Sequence, residues 1–340
     1  MNLLITGGAG FIGCNMAAHF MSKGYRVVLL DNLSRPGGHN NLNWLKSLGA
    51  LEFVKADIRN AAEVKRVFDI YGHFDAVLHF AAQVAVTTSV TDPRWDMETN
   101  LQGTFNLLEA ARMCAAKPIF LYASTNKVYG EIANLKVVEA NDRYQYADLQ
   151  NGVSEDFPLD FHCPYGCSKG AADQYVIGYS RIYGLKTVCF RQSCIYGYHQ
   201  FGMEDQGWVA WFSIAAMSGR PITIYGDGKQ VRDVLFIDDL VSLYDLSLNH
   251  IDKMSGEAYN IGGGLKYQLS LLELIRMLEE KLGKSIPLTF FPARPGDQKV
   301  FVCNISKIKQ TLGWEPQTDI TSGIEKLFIW IEQNRNLFLA

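Results

Sequence analysis

NLLITGGAGFIGCN, residues 2–15, decides the fold. Asn2-Leu3-Leu4-Ile5-Thr6 is an apolar run of strand length. It opens into Gly7-Gly8-Ala9-Gly10-Phe11-Ile12-Gly13, and a helical pattern follows through Phe20. Gly7, Gly10 and Gly13 stand at G-x-x-G-x-x-G spacing. Glycines there let the backbone turn tightly and approach a pyrophosphate, which then rests on the helix N-terminus. An ordinary glycine-rich strand–helix turn shows the same residues, so context decides. A second strand, Arg26-Val27-Val28-Leu29-Leu30, ends at Asp31, 18 residues past Gly13. An acid at that distance binds the adenosine ribose hydroxyls of a dinucleotide. It repels a 2′-phosphate and so favours NAD over NADP, although Arg35 nearby could accept that phosphate.

The alternation continues. Strands are expected at Leu51–Lys55, Ala76–Ala82, Pro118–Ala123, Leu185–Phe190 and Glu257–Ile261, and helices at Ala61–Tyr71 and Asn100–Cys114. This predicts an α/β fold, a doubly wound parallel sheet of Rossmann type. After about residue 190 the alternation loosens. Residues 1–190 are expected to form the NAD-binding domain, with sheet returns near 185–190 and 257–261. Residues 191–340 are expected to form mainly a smaller, discontinuous substrate-binding lobe. Ligands of open parallel sheets bind beyond the strand C-termini. The expected cofactor set is therefore Gly7, Gly10, Phe11, Ile12, Gly13, Asp31, Asn32, Ser34, Arg35, Asp57, Ile58, Ala81, Ala82 and Gln83. His79, flanked by apolar residues, fits a core histidine with a local hydrogen bond better than a catalytic one.

The 340 residues are 48% hydrophobic, enough for a sizeable core, and the net charge is −3. Nothing in that balance suggests nucleic acid or a membrane surface as partner. No apolar run reaches transmembrane length and no leader is expected before the first strand, so a cytoplasmic protein is expected. The seven cysteines are scattered and odd in number, which fits a reduced compartment. No metal site is expected.

Tyr165 and Lys169 stand four apart in Tyr165-Gly166-Cys167-Ser168-Lys169, one above the other on a helix. An ammonium beside a phenol favours the phenolate, and such a pair can exchange a proton with an alcohol. A solvated Tyr–Lys helix pair would mean nothing by itself. Its weight comes from the dinucleotide signature and from Ser124-Thr125, a hydroxyl pair at a strand's C-terminal end.

Gly7-x-x-Gly10-x-x-Gly13, Asp31, Ser124-Thr125-x-x-Val128-Tyr129-Gly130 and Tyr165-x-x-x-Lys169 together resemble the extended short-chain dehydrogenase/reductase family, in its nucleotide-sugar branch, over nearly the whole chain. The resemblance implies that Tyr165 is the catalytic base, that Lys169 holds the nicotinamide ribose and that Thr125 orients the sugar hydroxyl. It adds Ser124, Tyr165, Lys169 and Asn100 to the cofactor side. Family dehydratases carry Asp-Glu directly after the Ser/Thr. Here Asn126 and Lys127 stand there, so oxidation–reduction or epimerisation is expected rather than loss of water.

A nucleotide sugar brings a diphosphate, which Arg forks suit. Arg232 and Arg294 are the candidates, although ion pairs to Asp233 and Asp297 would explain them equally by sequence alone. The resemblance assigns both to phosphate, and Asn126, Gln206 and Asn260 to the substrate. Relatives place a phosphate-touching Asn where Cys194 stands, a role a thiol fills poorly. The connection 131–163 fits either a wall over the sugar or a solvated excursion.

Within the branch, the wording around Ser124–Gly130, Pro164–Tyr175, Asp205–Trp208 and Gly228–Asp233 resembles the 2-epimerases of CDP-linked dideoxyhexoses. That implies an NAD-dependent interconversion of CDP-paratose and CDP-tyvelose in surface-polysaccharide (O-antigen) precursor synthesis. A UDP-sugar 4-epimerase shares the same catalytic core, and a non-catalytic NAD sensor is the reading from another class. A homodimer or homotetramer is expected, pairing through the helices at Asn100–Cys114 and Tyr165–Arg181.

Overall fold

The computed structural model describes residues 1–132, 135–294 and 297–338. Seven strands form one parallel sheet: β1 (Asn2–Thr6), β2 (Arg26–Asp31), β3 (Glu52–Lys55), β4 (Ala76–His79), β5 (Ile119–Thr125), β6 (Thr187–Gln192) and β7 (Glu257–Ile261). Their order is β7-β6-β5-β4-β1-β2-β3, the doubly wound arrangement. The order reverses between β1 and β4, where Thr6 lies beside His79 and a crevice opens beyond the strand ends. The strands are Val/Ile/Leu-rich because both faces are covered. One face packs against a core containing Leu3, Ile5, Leu29 and Leu78, the other against one containing Leu4, Val28, Val77 and Phe120. Alternate residues of each strand thus serve opposite helix layers.

β5 is longer than expected, running two residues further to carry Ser124 and Thr125 within the sheet. The helix expected over Asn100–Cys114 begins as a π turn, Glu98–Gln102, and continues as α-helix Gly103–Met113. π turns commonly mark functional sites. The helix bearing Tyr165 spans Pro164–Tyr183, with Pro164 in its first turn and Gly184 as left-handed C-cap. Ser270 and Glu273, three residues apart in sequence, form a capping box at the start of the helix Leu271–Leu282.

A separate sheet is built from strands Val231–Phe236, Cys194–Tyr196, Gln268–Ser270 and Val300–Phe301, in the region expected to form the substrate-binding lobe. The 131–163 connection is not a solvated excursion; Ala133 and Asn134 lie outside the described residues. It folds a hairpin, Val137–Ala140 with Arg143–Tyr146, against this lobe. Arg143 pairs with Glu273, and Tyr146 donates to the Val300 carbonyl. None of the described helices is long and apolar enough to cross a membrane.

Candidate active site

The glycine turn is held where the sequence places it. Gly7 has φ +66°, and a Cβ there would come within 2.6 Å of the Ala81 nitrogen. A Cβ at Gly13 would come within 2.2 Å of the Gly7 carbonyl oxygen. The turn therefore fits only glycine at these two positions. Gly13→Ala is expected to lose cofactor and to lower stability by about 1–3 kcal/mol, the usual cost of overpacking. Cofactor content after purification, with a melting curve, checks this; an unchanged melt with full cofactor would refute the packing argument.

One cleft brings together Gly7, Gly10, Phe11, Ile12, Gly13, Asp31, Asn32, Ser34, Arg35, Asp57, Ile58, Ala81, Ala82, Ser124, Tyr165 and Lys169. Asp31 accepts from the Ala9 amide at 3.0 Å and the Leu33 amide at 2.7 Å. Burial raises its carboxyl pKa, against the pull of those amides. Asp57 is held down to about 2 by Arg59 and takes a hydrogen bond from Asn32. Arg35 donates to Gln206 at 3.1 Å, and both line this cleft, so Gln206 lies on the cofactor side as well. An elongated glycine-walled cleft with an acid at the far end fits a dinucleotide.

Two expected cofactor residues stand behind the cleft wall. Gln83 and Asn100 are buried and bonded to each other, with Asn100 Oδ1 accepting from the Gln83 amide at 2.9 Å. Both donate to Asp96, which also receives Ser168 Oγ–H at 2.5 Å. This network ties the π turn to the helix of Tyr165. His79 is a core histidine, bridging Thr6 and Thr104 at 2.7 and 2.9 Å, and burial pushes its pKa well down.

Tyr165 and Lys169 meet the end of β5. Tyr165 is 8% exposed, and burial raises its phenol to about 12; the Thr125 hydroxyl pulls it the other way. Lys169 donates to the Ala123 carbonyl at 2.5 Å, with its ammonium 4.1 Å above the Tyr122 ring. Burial lowers its pKa to about 7. The structure thus departs from the expected direction: burial lifts the phenol, and the lysine is spent on a carbonyl. Asp96 and Cys163 add to the rise at Tyr165.

Lys169 is therefore a cost to the fold. Between pH of about 7 and 10.5 the unfolded lysine is protonated while the folded one is not, so stability rises with pH across that window. Lys169→Met is expected to be more stable than the parent at pH 7, with the gap closing toward pH 10, and to be inactive. Denaturant midpoints at several pH values check this. A gap that widened with pH would refute it.

The expected substrate residues divide. Thr125 and Asn126 are buried at the end of β5, and Thr125 donates to Asn126 Oδ1 at 3.4 Å. Arg232 is buried and pairs with Asp297 at 2.6 Å, not with Asp233. Arg294 lies 3.9 Å over the Tyr225 ring and donates to the Glu204 carbonyl; its neighbours Pro295 and Gly296 lie outside the described residues. Asn260 is fully buried, and its side chain is committed to Tyr129 and the Val153 carbonyl. It joins the sheet to the 131–163 connection instead of facing an open site. Gln192, His199, Gln200 and Phe201 also line the cleft. Only Gln192, in register with Thr125, could have been found from strand pairing.

The profile of the GDP-mannose 4,6 dehydratase family matches residues 4–327. The CDP-paratose 2-epimerase of Salmonella typhi is 48% identical over 335 residues, covering 97% of this chain and 99% of that protein. A Thermus thermophilus UDP-glucose 4-epimerase in complex with NAD superposes with a TM-score of 0.82 at 31% identity, over 98% of this chain and 99% of that one. The UDP-glucuronic acid 4-epimerase of Bacillus cereus, in complex with UDP-glucuronic acid and NAD, gives 0.84 at 29% identity, over 98% and 100%.

Proposed function

The chain belongs to the nucleotide-sugar branch of the extended short-chain dehydrogenase/reductase family, whose epimerases and dehydratases depend on NAD, and from that premise we propose that it inverts C2 of a CDP-linked dideoxyhexose, interconverting CDP-paratose and CDP-tyvelose. The observation that carries the reading is the 48% identity, along nearly the whole chain, to the Salmonella typhi CDP-paratose 2-epimerase. The absence of a carboxylate at Asn126 and Lys127 supports epimerisation over dehydration.

NAD, when bound, supplies a hydride acceptor and donor. Tyr165 Oη takes the proton of the sugar hydroxyl as the carbinol becomes a ketone, and returns it after the sugar presents its other face. Thr125, at the end of β5, orients the reacting oxygen. Lys169, anchored on Ala123, stands one turn below Tyr165 on the cofactor side. We also propose a homodimer or a dimer of dimers. Phe105, Met113, Tyr175, Ile182 and Tyr183 are exposed apolar residues on the two helices that would pair, with Met113 73% and Ile182 75% exposed. Such a patch on a helix pair suits a second copy of the chain.

The test follows the sugar by proton NMR in deuterated water, without added reductant. Interconversion of CDP-paratose and CDP-tyvelose with no deuterium at C2 is the expected result. Deuterium at C2 would mean deprotonation at carbon and would refute the mechanism. No conversion, with turnover of a UDP-hexose instead, would move the reading to C4 epimerisation, the activity of the Thermus thermophilus relative.

A further inference from the structure

Lys127 is a cation beside Thr125 that the mechanism above leaves unused. It lies two residues past Thr125, and its backbone N–H donates to Thr125 Oγ1 at 3.2 Å. Its carbonyl packs on Gly166, where a Cβ would come within 3.0 Å. Lys127 is thereby clamped between the strand end bearing Thr125 and the helix turn bearing Tyr165. Its side chain is 19% exposed. Burial, followed by Arg232, pushes its ammonium pKa down, while Asp297 opposes.

Its partners are distant. Gln298 Oε1 lies at 3.5 Å and Asp297 Oδ1 at 3.7 Å, longer than a well-formed N–H···O bond. Arg232 already holds the same Asp297 oxygen at 2.6 Å, and Arg294 also acts on that carboxylate. Arg232 and Lys127 thus share one carboxylate oxygen, which leaves the more distant Lys127 without a close anionic partner. A cation so placed suits a phosphate of a sugar nucleotide. Cys194, at the position where relatives place a phosphate-touching Asn, lies in the field of both Arg232 and Lys127. Its thiol accepts from Trp208 Nε1 at 3.4 Å.

We propose that Lys127 binds the phosphate attached to the sugar's C1, supplying with Arg232 the contact that Cys194 does not make. This rests on the reading of the protein as a nucleotide-sugar epimerase. It also supplies a reason for C2 chemistry. C2 adjoins C1, whereas C4 lies across the ring, so oxidation at C2 needs the phosphate drawn close to Thr125 and Tyr165. A cation two residues from Thr125 draws it there. The carboxylate that family dehydratases carry nearby would repel it.

The test compares CDP with CMP as ligands of the NAD-loaded protein by calorimetry, in the parent, Lys127→Met and Lys127→Arg. CDP carries the phosphate in question and CMP lacks it. Lys127→Met is expected to weaken CDP by about tenfold or more, as loss of a charge-assisted contact does, and to leave CMP unchanged. Lys127→Arg is expected to keep most of the CDP affinity. Equal losses for both ligands, or none for either, would overturn the proposal. A melting curve reports the fold of each variant, and Lys127→Gln replaces Lys127→Met if the latter does not fold. If the parent ignores both cytidine nucleotides, the same comparison is made with UDP and UMP. The cytidine assignment then falls, while Lys127 is still judged by the diphosphate–monophosphate difference.

Discussion

Tyr165→Phe is expected to lower the rate of sugar epimerisation by roughly 10²–10⁴-fold, the range of general acid–base catalysis, with NAD still bound and the fold intact. The variant removes one oxygen from a residue that is 8% exposed, and its ring still fills the same space. What it loses is the phenol proposed to carry the proton. Burial, with Asp96 and Cys163, holds this phenol at about 12, too high for a base at neutral pH, and Thr125 is the named group that lowers it. Lys169 does not supply the correction from where it sits, bonded to the Ala123 carbonyl. NAD, when bound in the cleft that Tyr165 lines, would supply a positive charge of the kind that lowers a phenol's pKa. NMR turnover assays with measured NAD content check this. A fully active Phe variant would remove Tyr165 from the mechanism.

Asp173→Ala is expected to destabilise the protein by about 3–5 kcal/mol, the usual consequence of stripping one partner from a buried ion pair. Asp173 is fully buried and grips Arg191 twice, at 3.0 and 3.1 Å. It also accepts Ser124 Oγ–H at 2.8 Å. Arg191 in turn donates to Tyr129 Oη at 3.0 Å, and Tyr129 donates to Asn260 at 2.8 Å. One carboxylate thus fixes the Tyr165 helix against β5, β6 and β7. Its loss leaves a guanidinium stranded in the core. The double change of Asp173→Leu with Arg191→Met is expected to cost less, because no charge is then left unpaired. Chemical denaturation of the three forms checks both statements. A single variant as stable as the double would refute the argument.

Much of this was legible in the sequence because it is local. The glycine spacing, Asp31 at the end of β2, the Tyr165–Lys169 turn and the capping box at Ser270 each depend on residues within a few turns of one another. β-strand periods and turn chemistry act at that range, so the element order could be read before the sheet was seen. The limits of β5 could not, because Ser124 and Thr125 pair with Arg191 and Gln192 across a long separation in sequence.

The sequence by itself determined the doubly wound sheet and the dinucleotide turn, since backbone geometry and hydrophobic period write these into neighbouring residues. Tertiary structure alone decided how the polar residues are spent. It turned Gln83, Asn100 and Asn260 inward to satisfy buried hydrogen bonds, and brought Gln206 to Arg35. It also gave Asp297, rather than Asp233, to Arg232. The direction of the Lys169 and Tyr165 pKa shifts belongs to it as well. A side chain's partners and desolvation depend on segments from 17 to 171 residues away, and no local pattern carries that information.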